Sequence, residues 1–156
     1  MAISLPIRRS ILTGLLRRYT PRNDSTFNRY KIITDMDIYK ETIIDHYQNP
    51  RNFGKINDAQ QSISLNNPLC GDKITLYVNF QDNKLKEISF QAKGCAISIA
   101  SASLLTDYVK GKSKQQLRKL DRDFIIKMLG IDLGVNRLKC ALLPLEALIK
   151  ILNLKL

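Results

Sequence analysis

The sequence predicts an α+β domain, a small antiparallel three-stranded sheet covered by helices. Three observations lead there. Ile74, Leu76, Val78 and Phe80 alternate with polar residues, the pattern of a strand with one buried face. Two further short alternating stretches, Ser62–Asn66 and Leu85–Phe90, flank it across turn-forming residues. From Ala96 onward the apolar period changes from two to helical spacing. Two or three strands with one apolar face need a layer of helices to cover them.

The elements follow in order. Ile38, Tyr39, Ile43, Ile44 and Tyr47 have helical spacing, with Asp37 as an N-cap before them and Asn49-Pro50 as the stop. His46, the only histidine, lies near that helix's end. It is read as an imidazole capping the last carbonyls rather than as a metal ligand. Arg51–Gln61 is a polar loop, and the three strands come next. The second and third strands are joined by Gln81-Asp82-Asn83-Lys84, which is turn material. Ala96–Val109 is expected as a helix whose small residues pack closely on the sheet, ended by Gly111. Ser113-Lys114-Gln115-Gln116 reads as a capping box for a second helix. Its stripe is Leu117, Leu120, Phe124, Ile125, Met128 and Leu129. Gly130–Asn136 is expected as a loop. Cys140 then precedes a last helix that carries Pro144 in its first turn and turns Leu145, Leu148, Ile149 and Leu152 inward.

The 156 residues suit one domain plus a tail. At 44% hydrophobic the chain buries a core without needing disulfides. Three cysteines cannot pair fully, so reduced thiols in a cytoplasmic setting are expected. No apolar run is long enough to span a membrane. The net charge of +11 is unevenly placed: residues 1–35 hold seven Lys/Arg against two Asp. Those residues read as a basic N-terminal extension outside the fold. It is an in-frame addition with no fold role, an organellar presequence, or an arm for anionic surfaces. Residues 36–156 form the functional domain.

The chemistry gathers at the cysteines. Cys70 and Asp72 share the turn Asn67-Pro68-Leu69-Cys70-Gly71-Asp72, where Gly71 permits a tight bend. Cys95 and Cys140 are each expected at a helix start, where free N–H groups favour the thiolate. Three cysteines and one aspartate make four anionic ligands, the number wanted by tetrahedral zinc and by a [2Fe–2S] cluster. One oxygen donor among sulfurs suits a site that gives its cargo away. A zinc-stabilised basic module binding nucleic acid is the alternative, resting on Lys110, Lys112, Lys114, Arg118, Lys119 and Arg122. Against it stand the lack of Cys-x2-Cys knuckles and of an aromatic-studded basic strand, so that cluster reads as a solvated helix face.

Four segments together resemble the NifU/IscU/SufU iron–sulfur cluster assembly scaffolds. They are Asp45-His46-Tyr47-Gln48-Asn49-Pro50-Arg51-Asn52, the Asn67–Asp72 turn, Gly94-Cys95-Ala96-Ile97-Ser98 and Lys139-Cys140-Ala141. The resemblance runs from about Met36 to Leu152 in the family's order and implies a SufE/NifU-like fold. It implies that Cys70, Asp72, Cys95 and Cys140 hold zinc or a transient [2Fe–2S] cluster. It also implies a cysteine desulfurase as sulfur donor and apo iron–sulfur proteins as acceptors. Lys139 before the last cysteine and Ala100-Ser101-Ala102-Ser103 are similar to the SufU branch. The short stretch 96–139 is closer to the IscU type, which lacks the insertion usual in SufU. Leu133-Gly134-Val135-Asn136-Arg137 stands where the IscU type carries its chaperone-recognition segment, so a chaperone partner is not expected. Cys70 and Cys140 are the candidate persulfide acceptors. Cys95, opening a packed helix, is expected to be the most confined.

Overall fold

Two antiparallel pairings build the sheet in the computed structural model, which describes residues 38–154. Strand β1 (Gln61–Asn66) pairs with β2 (Lys73–Gln81), and β2 with β3 (Lys84–Lys93), in the order β1-β2-β3. Asp37 and the extension 1–35 lie outside the described residues. Helix α1 covers residues 38–48. After the sheet come α2 (Ala96–Val109), α3 (Lys114–Leu117), α4 (Arg122–Leu129) and α5 (Val135–Asn153). Among the described residues no helix is long and apolar enough to cross a membrane.

The period-two pattern explains which sheet face is buried. Ile74, Leu76 and Val78 of β2 and Leu85, Ile88 and Phe90 of β3 point into the core with Leu105, Leu148 and Ile151 from the helices. Helix α2 packs on β3 and α5, while α5 packs on β1 and β2. The opposite face is polar and cross-linked: Tyr77 donates to Gln91 at 2.9 Å and Asn79 to Glu87 at 2.9 Å. Burial on one face and hydrogen bonding on the other pin the register, because a one-residue slip would exchange them.

Two expectations about the helices are corrected. The stripe from Leu117 to Leu129 is not one helix. Asp121 caps a second one by accepting from the Phe124 N–H at 2.8 Å, so α3 ends and α4 begins. The last helix starts earlier than Cys140, at Val135, and runs through Pro144. Proline has no N–H to donate to the carbonyl four residues back, here Cys140. Next to that gap the Ser101 hydroxyl of α2 donates to the Ala141 carbonyl at 2.7 Å. Tertiary packing therefore carries the helix past a residue that reads locally as a start.

The reading of His46 is corrected too. Its ring is buried, 8% exposed, and Nδ1 lies 2.8 Å from the Ser103 hydroxyl on α2 instead of capping α1. The same hydroxyl accepts from the Arg51 N–H at 2.8 Å, and Asn52 Nδ2 donates to Thr106 at 3.3 Å. The Asp45–Asn52 segment is thus a clamp on α2. Half of the basic cluster is engaged by the fold. Lys112 lies over the Tyr108 ring, Lys114 over Phe80, and Arg118 donates to the Leu152 carbonyl.

Burial, with Arg51 adding to it, pushes the His46 pKa below its ordinary 6.5, against the opposing pull of Asp45 and Asp107. The unfolded chain therefore takes up this proton first as pH falls. Stability from His46 is complete above pH 6.5 and is lost as pH drops toward the folded pKa. Thermal midpoints of metal-free protein should fall between about pH 7.5 and 5.5, and His46→Gln should remove most of that fall. An equally steep fall in the variant would place the pH dependence elsewhere.

Candidate metal centre

The turn between β1 and β2 is folded by Asn67. Its N–H donates to the Asp72 carbonyl at 2.7 Å, and its carbonyl accepts from the Gly71 N–H at 2.8 Å. Its side-chain oxygen accepts from the Leu69 N–H at 3.1 Å, and its Nδ2 lies 3.6 Å from Cys140 Sγ. Gly71 sits at φ +73°, where a side chain would strain the backbone. The turn places Cys70 at the surface and directs Asp72 inward, 3% exposed.

Three elements meet there. Cys70 Sγ lies 3.1 Å from Cys140 Sγ of α5, and one ligand atom each from Cys70, Asp72 and Cys140 falls within 4.8 Å of the others. Cys95 is the N-cap of α2 and is exposed. Its N–H donates to Asp72 Oδ1 at 3.1 Å, while its sulfur stands outside the group of three. Asp72 Oδ2 is buried with no hydrogen-bond partner. The sulfur contact is shorter than the edge of a tetrahedral zinc–thiolate site, about 3.8 Å. Crowded thiols beside an orphaned buried carboxylate oxygen are a donor set that a cation would satisfy, so these residues fit zinc or a cluster iron.

The protons are distributed unequally. Burial disfavours ionised Asp72, but the neighbouring Cys140 and Cys70 thiols and the Cys95 N–H favour the charge more strongly and hold its pKa below the usual range. Burial pushes the Cys140 thiol far up, and its contacts with Cys70 and Asp72 add to the shift. In the metal-free chain the proton therefore stays on Cys140 and the charge on Asp72. A metal bound here would have to displace thiol protons, which would make its affinity pH-dependent.

This overturns two expectations. Cys140 is not at a helix start but in the second turn of α5, 4% exposed, after a loop that ends at Gly134. The helix-terminus argument for its thiolate fails. Cys95 keeps its helix start but is exposed, so the confined cysteine is Cys140. Two contributors escaped the sequence reading. The Asn67 side chain organises the turn it opens. Gly94 leaves room for Asp72, since a Cβ there would lie 2.7 Å from the carboxylate carbon. The Gly-Cys pair was visible, but only packing shows what the glycine makes room for.

Fold and site together define a class: a small α+β domain with a cysteine–carboxylate cluster where a strand turn meets two helices. The chain belongs to the NifU-like N-terminal domain family, whose sequence model matches residues 38–153. It is 40% identical over 111 residues to the iron–sulfur cluster assembly scaffold protein IscU 1 of Archaeoglobus fulgidus, covering 71% of this chain and 72% of that one. It is 37% identical over 130 residues to the zinc-dependent sulfurtransferase SufU of Bacillus subtilis, covering 72% and 88%. A solved structure from Fervidobacterium islandicum is named as a candidate cluster assembly scaffold for the SUF system. It superposes with TM-score 0.65 at 31% identity over 75% of this chain and 98% of that one.

Gly94→Ala should push Asp72 out of place while the sheet stays intact. Zinc affinity, read by competition with a chromophoric chelator, is expected to fall about tenfold or more with the thermal transition retained. Undiminished affinity in a folded variant would remove Asp72 from the site.

Proposed function

We propose that this protein is an iron–sulfur cluster assembly scaffold or zinc-dependent sulfur-transfer protein. It accepts sulfur from a cysteine desulfurase and passes sulfur or a [2Fe–2S] cluster to apo iron–sulfur proteins. The observation that carries the proposal is the convergence of Cys70, Asp72 and Cys140, with Cys95 at the adjoining helix start. The similarity to proteins named IscU and SufU supports the same reading. Cys70, Asp72, Cys95 and Cys140 would hold the metal. Zinc, when bound, supplies a Lewis acid that keeps the thiols deprotonated.

The chain's own residues divide the work. Cys70 is exposed and sits on a glycine-containing turn, so its thiolate can reach a persulfide presented by a partner. It attacks the outer persulfide sulfur, forming one S–S bond as the bond to the donor cysteine breaks and the donor leaves as thiolate. Cys140, buried behind it, is the less accessible of the two candidate acceptors. Asp72 contributes an oxygen donor, weaker toward iron than a fourth thiolate, which favours handing cargo on. The setting is a compartment that keeps thiols reduced, the cytoplasm, or an organelle if residues 1–35 act as a presequence.

The branch rests on Lys139 and the Ala100–Ser103 run, which favour the SufU type. The alignment with the Bacillus protein spans 130 positions but only 72% of this chain, so that relative carries extra residues. Oxygen-free incubation with desulfurase, cysteine and ferrous iron tests the proposal. Mass spectrometry should find one added sulfur on Cys70, or analysis should find iron matched by acid-labile sulfide. A chain that gains neither contradicts the function, and a persulfide only on Cys95 contradicts the assignment of Cys70.

A further inference from the structure

The geometry points to a docking surface for an acidic protein segment along the free edge of β3 and the adjoining outer face of the sheet, anchored by Phe53. Phe53 is 52% exposed, yet its backbone is held firmly. It forms a parallel bridge to Phe90 on the free edge of β3. The Gly54 N–H donates to the Phe90 carbonyl at 2.8 Å, and the Phe90 N–H donates to the Asn52 carbonyl at 3.0 Å. Its ring meets Phe90 edge-on at 5.4 Å between centroids. An exposed aromatic ring on ordered backbone loses little entropy on binding, which is the character of an interface anchor.

Two clefts share this ring as a wall. One, of about 340 Å³, is lined by Lys73 and Lys93. The other, of about 460 Å³, is lined by Lys55, Lys86 and Lys110. The acid within them is Glu87, whose carboxylate already accepts from Asn79. Five lysines lining the two clefts that this ring divides are complementary to a carboxylate-rich segment bearing an apolar or aromatic side chain. The face is also continuous with the candidate metal centre. Lys73 follows Asp72, Lys93 precedes Gly94-Cys95, and the two lysines are register partners on β2 and β3. A partner seated across Phe53 would reach the end of the sheet where the cysteines lie. That the partner receives what the centre carries rests on the function proposed above; the docking does not.

Fluorescence anisotropy on the full-length chain tests this. The probe is a fluorescein-labelled dodecapeptide of Asp, Glu and Gly around one central phenylalanine, with and without zinc on the protein. Saturable binding is expected in both states. Lys73→Glu with Lys93→Glu, and Lys55→Glu with Lys86→Glu, should each weaken it about tenfold or more. Phe53→Ala should do the same. Phe53→Leu, which keeps an apolar contact on Phe90, replaces it if the alanine variant loses its thermal transition. Lys119→Glu with Lys127→Glu makes the same charge change elsewhere and should alter binding less than about twofold. Equal weakening by that control pair, equal binding of a phenylalanine-free peptide, or no saturable binding would overturn the proposal. So would a single-stranded oligonucleotide that displaces the peptide from the same residues, which would make the face a nucleic-acid surface.

Discussion

The hydrogen bond from the Cys95 N–H to the Asp72 carboxylate joins the two halves of the molecule's chemistry. It ties the turn after β1 to the start of α2 at 3.1 Å. A helix N-terminus welcomes a carboxylate, because its free N–H groups and dipole favour negative charge. Here the carboxylate comes from another element, so the cap is also a tertiary cross-link. It spends one oxygen of Asp72 and leaves the other buried without a partner. Gly94 makes the approach sterically feasible, and Asn67 holds the turn from the other side. This contact sets Cys95 beside the turn that carries Cys70, while Asn67 reaches across to Cys140 of α5.

The rest of the fold keeps that contact in register. Helix α2 carries Cys95 and is held on one side by α5, through the Ser101–Ala141 hydrogen bond. On the other it is held by the Asp45–Asn52 clamp acting on Ser103 and Thr106. The small residues of α2 have two uses. They permit close packing, and their hydroxyls accept or donate where longer side chains would not fit. The segment containing His46 thus lies away from the cysteines and acts through the position of α2.

Much of this was legible in the sequence. Strict alternation at Ile74–Phe80 marks a strand whatever its surroundings, and all three strands were found. Ala96–Val109 with its glycine stop was equally clear. What stayed hidden depends on contacts between distant residues. Pro144 reads as a helix start because its missing N–H is harmless there, yet packing of α5 against α2 and the sheet tolerates it mid-helix. That misreading moved Cys140 to a helix terminus, and Cys95, which does open a packed helix, is nonetheless exposed. His46 looked like a local cap because its true partner is 57 residues away. The four candidate ligands were visible as residue types. That three of them cluster while Cys95 offers its backbone first was not, since spacing carries no information about which atom points inward.

X-ray absorption at the zinc edge of the metal-loaded chain reads the donor set directly. Three sulfurs at about 2.3 Å and one oxygen at about 2.0–2.2 Å are predicted, with the oxygen absent from Asp72→Ala or replaced there by a water. A shell dominated by nitrogen or oxygen, or one with fewer than three sulfurs, would contradict a centre built from Cys70, Asp72, Cys95 and Cys140.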